Sequence, residues 1–152
     1  MNEIQKKCLF ESSLAQVWSF WIQVDKTPAW VDGVLESERT SEILQGIGLS
    51  WKEKCSVMEH VLIAEHRVTH WEEGRCIIVE TKLPMGAVMK RSLTFAVSSQ
   101  DRAEVHIILS WDLGMAAAFV DESRLQEVFD SGLEKTLQNW QTAVRASGSL
   151  QN

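Results

Sequence analysis

The sequence contains no tyrosine, and its only prolines are Pro28 and Pro84. No internal repeat, low-complexity tract or linker interrupts the chain. Cysteine is sparse: Cys8, Cys55 and Cys76 are an odd number and form no CxxC pair, which argues against a disulfide framework or zinc knuckle. They fit small core residues better than nucleophiles. No run approaches the roughly 20 apolar residues of a membrane helix. Excess positive charge is also missing. The net charge is −6 with acids scattered along the chain, which argues against nucleic acid or an anionic membrane as partner. Met1-Asn2-Glu3-Ile4 carries neither a basic start nor an apolar signal core, so a cytoplasmic protein is expected.

What is present is apolar mass and tryptophan. Apolar residues make up 45% of 152, enough for one globular domain with a core. Seven Trp and five Phe suit either a core with large gaps or a pocket for a flat, greasy ligand. The dominant pattern is an amphipathic helix over 121–146. Leu125, Val128, Phe129, Gly132, Leu133, Thr136, Leu137, Trp140 and Val144 recur at spacings of three and four. Asp121 is placed to cap it, with Val120 and Leu125 as a hydrophobic staple and Gly148 as its stop.

Before this helix the period is mostly two. Residues 3–11 read as a first strand in which Lys6 is the one misfit. Ser12 or Ser13 caps a short helix burying Leu14, Val17, Trp18 and Trp21, and a second short helix or turn spans 25–32. Strands follow at about 34–40, 48–58, 60–71, 75–83, 87–98 and 103–113. Leu83-Pro84-Met85-Gly86 suits a type I turn. Short connections predict an antiparallel meander with the long helix on one face. A sheet roughly 30 Å wide on a helix about 10 Å across leaves a space to fill.

The order of strand, two short helices, six strands and a long helix resembles the helix-grip fold of the START/SRPBCC superfamily. Ala15-Gln16-Val17-Trp18, Asp25, Pro28, Ala29-Trp30 and Gly33-Val34 look like that group's opening segment. Gly46-Ile47-Gly48-Leu49-Ser50-Trp51 is similar to its loop before the third strand, and Val68-Thr69-His70-Trp71 to the end of its fourth. The polyketide cyclase/dehydrase-like branch is the best match. The resemblance implies an α+β domain over 1–148 with a short tail at 149–152. Its curved seven-stranded antiparallel sheet would wrap a long C-terminal helix, and a cavity would bind a small hydrophobic or amphipathic molecule. It carries over no catalytic residue, cofactor or metal.

Alternation places Trp51 and Glu53 on one face of their strand, and Met89 with Arg91 on one face of theirs. If Leu83 pairs with Gly86, Glu80 lies one diagonal step from Arg91. Glu53, Glu80 and Arg91 would then orient a ligand's polar group, or form a structural ion pair. Trp51, Trp111, Phe129, Leu133 and Trp140 would supply apolar walls. Gly132, inside the helix stripe, hints at a close approach by a ligand, a strand or tight packing, and the apolar segment 114–119 at a cavity gate. His66 and His70 span about 13 Å on a strand, too far to share a metal ion. Gly46-Ile47-Gly48 lacks the following Lys-Ser/Thr of a phosphate loop and reads as a turn. The alternatives are a cyclase- or dehydratase-like enzyme, with Glu53 or His66 as acid or base, and a protein-interaction module.

Overall fold

A computed structural model describes residues 2–150. Strand β1 (Asn2–Phe10) leads through α1 (Leu14–Trp21) and a 3-10 turn (Val24–Ala29) into β2 (Val34–Arg39). Strands β3 (Ser50–Val57), β4 (His60–Glu72), β5 (Cys76–Lys82), β6 (Val88–Ser99) and β7 (Arg102–Asp112) follow. A 3-10 segment (Gly114–Ala118) then delivers the chain to α2 (Glu122–Leu150). The seven strands form one antiparallel sheet in the order β1-β7-β6-β5-β4-β3-β2, so the first strand closes against the last. This is the helix-grip arrangement of the expected α+β class. The end of the C-terminal tail, residues 151–152, lies outside the described residues.

Local chemistry explains the element ends. Ser13 and Gln16 form a reciprocal capping box at the start of α1. The Asp121 carboxylate accepts from the N–H groups of Ser123 and Arg124 at the start of α2. Gly148 does not stop α2, which runs on to Leu150. Glycine adopts helical angles too, and costs only about 1 kcal/mol against alanine there. Gly33 ends the first connection with φ +81, and a Cβ there would lie 2.9 Å from the Ser56 carbonyl oxygen.

Lys6 is no misfit. It points inward from β1 and meets Asp130 at 3.2 Å and Glu134 at 3.0 Å on α2. Gly132 faces the connection into β2, with the Asp32 carboxylate 3.4 Å from where a Cβ would sit. That connection is tied to α2 by Asp32 N–H to Thr136 and by the Asn139 amide to the Trp30 carbonyl.

The Leu83–Ala87 turn departs from expectation. Met85 has φ 63 and ψ 29, which excludes a type I turn. Leu83 pairs with Ala87 rather than Gly86. That one-residue difference sets the register of the hairpin, so Glu80 opposes Lys90, and Val79 opposes Arg91. Glu80 is therefore exposed on the outer face, not beside Arg91. Thr81 takes the inner position opposite Met89.

The interior divides into two clusters. The larger holds Phe10, Trp18, Trp21, Trp30, Phe95 and Trp140, packed mostly edge-to-face at centroid separations near 5 Å. The smaller lies towards the start of α2 and holds Ile4, Leu109, Trp111, Leu113 and Leu125, with Met58, Met89 and Phe129 partly buried against it. Leu133 touches both.

Candidate functional site

At the junction of the two clusters lies a buried polar chain. Pairing of β3 with β4 and of β4 with β5 aligns Trp51, His66 and Thr81 across the inner face. Glu53 follows Trp51 on β3, and Arg91 sits between Val79 and Leu109 on β6. Glu53 Oε1 is 2.6 Å from His66 Nε2. Its other oxygen accepts from the Thr27 hydroxyl at 2.5 Å and from the Trp51 indole N–H at 3.2 Å. His66 Nδ1 is 2.6 Å from Thr81 Oγ1 and 3.2 Å from Arg91 Nη2. Trp51 stacks on the imidazole at 4.9 Å.

These contacts fix the protonation pattern. A guanidinium can only donate, so Nδ1 must accept and the proton belongs on Nε2, directed at Glu53. His66 is thus a neutral imidazole. Burial lowers its pKa, and the Arg91 charge lowers it further, against the opposing pull of Glu53. Burial alone would raise the Glu53 carboxyl, but the hydrogen bond from His66, the Arg91 charge and the Thr27 hydroxyl together hold it below its ordinary range. Burial also lowers Arg91, while Glu53 opposes that shift. Arg91 remains charged, because guanidinium does not lose its proton in proteins. The neighbouring Cys55 thiol is pushed up to about 12 by burial and the Glu53 charge, so it is no thiolate nucleophile.

The residues expected to form the site separate into groups. Trp51, Glu53 and Arg91 come together as the alternation implied, and Glu80 is absent from them. Trp111 meets Phe129 edge-to-face at 5.0 Å in the smaller cluster, with Leu133 alongside. Trp140 is a packed core residue, enclosed by Phe10, Trp30 and Phe95. His66, Thr81 and Thr27 complete the polar chain. Inward period-two placement of His66 and Thr81 was the available signal; Thr27 had none, since only the folded chain brings it to β3.

Inner-face exposure is uneven. Trp51 and Leu93 are sealed, yet Cys55, Val57, Met89 and Arg91 are only half-buried, as are Phe129 and Leu133 opposite. The interior is therefore closed around Trp140 and looser towards the start of α2. The 3-10 segment 114–118 passes this end, with Ala116 against the smaller cluster and Met115 and Phe119 exposed. A broad depression of about 1130 Å³ opens mainly on the outer face, although Trp51, His66, Thr81, Met89 and Trp111 also contribute to its lining. Its outward side chains include Lys52, Glu65, Arg67, Glu80 and Lys82, which alternate in charge across the strands. Among the described residues, no group of three His, Cys, Asp or Glu side chains is placed to hold a metal, and no helix is long and apolar enough to cross a membrane.

The seven-stranded sheet gripping one long helix matches solved structures over almost its full length. A START superfamily protein from Mycobacterium smegmatis aligns with a TM-score of 0.80 at 10% identity, over 95% of this chain and 97% of that one. The chain has the START helix-grip fold. A conserved protein from Geobacillus kaustophilus aligns at TM-score 0.82 and 12% identity, covering 96% of this chain and 97% of its own. The Zhui aromatase/cyclase from a Streptomyces strain aligns at TM-score 0.74 and 11% identity, covering 97% and 93%. No family model and no curated protein matches the sequence. At such identities the START likeness describes the backbone and assigns no chemistry.

Proposed function

We propose that this protein binds a small hydrophobic or amphipathic molecule between the sheet and α2, in the half of the interior nearest the start of that helix. The observation that carries this reading is the uneven closure of the core. One half is sealed by interlocking aromatic rings; the other holds the half-buried Met89, Phe129 and Leu133 beside a charged group. Methionine tolerates repacking, so this half can yield to a guest at little cost. The walls are then Trp111, Phe129, Leu133 and Met89, with Trp51, Glu53 and Arg91 at the polar end. Glu80 and Trp140 are not part of it. The outer depression suits this role less well, because exposed charges of both signs line it. START-fold neighbours, with a START protein and an aromatase/cyclase among them, make an interior ligand a reasonable use of this scaffold.

Native mass spectrometry of freshly purified protein tests the reading, followed by extraction and identification of any released compound. A retained apolar molecule, displaced less readily from the wild type than from Phe129→Ala, is expected. A protein that emerges empty and ignores apolar dyes would remove it.

A cyclase- or dehydratase-like enzyme is the second reading, favoured by the buried His66–Glu53 pair. Weighing against it, both imidazole nitrogens and both Glu53 oxygens are already engaged. Turnover of a polyketide-like substrate by wild type but not by Glu53→Gln would favour the enzyme.

A further inference from the structure

We propose that the molecule bound here is an acid: an apolar body bearing one carboxylate, or a comparably acidic oxygen, gripped by Arg91. This rests on the binding reading above and adds the chemical class of the ligand.

Three observations carry it. First, Arg91 is underused. A guanidinium has five N–H donors, and the contact to His66 Nδ1 takes one. The Trp51 ring, 6.0 Å from the guanidinium carbon, covers one face without accepting a conventional hydrogen bond. Second, Glu53 is not free to serve Arg91. Its two oxygens already take Thr27, Trp51 and His66, and the imidazole stands between the carboxylate and the guanidinium. Among the described residues no carboxylate lies within 4.0 Å of Arg91, and the two acidic side chains of α2 that face the sheet, Asp130 and Glu134, pair with Lys6. Third, what is missing is an acceptor. The buried side-chain polar atoms without a partner, among the described residues, are all indole N–H donors, on Trp18, Trp30, Trp111 and Trp140. Trp111 follows Leu109, the residue opposite Arg91, by one inward step on β7.

Of these indoles only Trp111 belongs to the looser cluster, so a ligand entering this half meets the spare donors and positive charge of Arg91 together with that one N–H. Carboxylate offers acceptor oxygens in the spacing of the guanidinium fork, with charge assistance that an alcohol or ester lacks. Glu53 would strengthen the preference for one anion over two, since its own negative charge lies on the far side of His66.

The experiment uses two matched pairs of probes: decanoate with decanol, and 2-naphthoate with 2-naphthylmethanol. Each is titrated by calorimetry into wild type, Arg91→Gln and Arg91→Lys, with circular dichroism confirming that each variant is folded. For at least one pair, the wild type is expected to favour the acid by tenfold or more. Arg91→Gln should abolish that preference by weakening the acid at least tenfold more than the matched alcohol. Arg91→Lys, which keeps charge but not the planar fork, should retain part of it. Alcohols binding as tightly as acids would overturn the anion assignment and leave the binding reading standing. Failure of all four probes to bind the wild type would overturn both.

Discussion

His66 Nε2 lies 2.6 Å from Glu53 Oε1, and this contact is the centre of the buried polar chain. It makes Glu53 the acceptor for three donors: His66, Thr27 and Trp51. Glu53→Gln keeps the shape but leaves one acceptor oxygen where there were two. At least one buried donor then faces an amide N–H. An unsatisfied buried donor costs about 1–3 kcal/mol. The substitution should therefore lower stability by that amount, read as a drop in Tm of several degrees for a domain of this size. An unchanged melting curve would mean that the three donors do not depend on the carboxylate.

Acid should weaken the fold in two stages. His66 has a folded-state pKa below the ordinary 6.5, because burial and Arg91 disfavour its charge. From pH 6.5 down towards that folded value, the unfolded chain carries a proton that the folded chain does not. Stability therefore falls as pH falls, by up to about 1.4 kcal/mol per pH unit. Glu53, also lowered, contributes stability above its ordinary 4.5 that is lost as pH drops through its folded value. Urea titrations of wild type and His66→Gln from about pH 7.5 down to about pH 3 cover both windows and separate the two. The variant should lose slope in the upper window only. Equal slopes there would contradict a neutral imidazole.

Trp140 and Phe129 were both expected to line a cavity, and their surroundings now predict opposite behaviour. Trp140 is 1% exposed and packed by three aromatic rings. Trp140→Ala should cost about 3–5 kcal/mol, a large part of a typical domain's stability. Phe129 is half-buried, so Phe129→Ala should cost well under half as much and act mainly on ligand affinity. Thermal denaturation of the two variants, side by side, decides this. Similar losses would mean that the two halves of the core are equally tight.

The fold was legible because it rests on long periodic patterns. Alternation over β3, β6 and β7 placed Trp51, Glu53, Arg91 and Trp111 on the inner face, and a 3.6-residue stripe located α2. The site was legible only where a residue's face follows from its own strand. Glu80 depended on the register of a hairpin, and one left-handed Met85 in the turn moved it to the outer face. Thr27 comes from a different segment, 26 positions before Glu53, and no local pattern announces that meeting. Lys6 looked like an interruption of its strand until α2 brought Asp130 and Glu134 to it.

Gly132 and Gly33 give the last contrast. Gly132 interrupts the apolar stripe of α2, and in sequence it suggested something pressing close. The neighbour is the Asp32 carboxylate, 3.4 Å from where a Cβ would stand, at the end of a side chain that is 38% exposed and can move aside. Gly132 has no positive φ to protect. Gly132→Ala should therefore recover most of the helix-propensity difference and raise stability by about 0.5–1 kcal/mol. At Gly33, φ is +81 and the obstacle at 2.9 Å is the backbone oxygen of Ser56, held in a strand. Gly33→Ala should lower stability by about 1–3 kcal/mol. Chemical denaturation of both variants tests the pair, and a destabilised Gly132→Ala would mean that the connection into β2 cannot give way against α2.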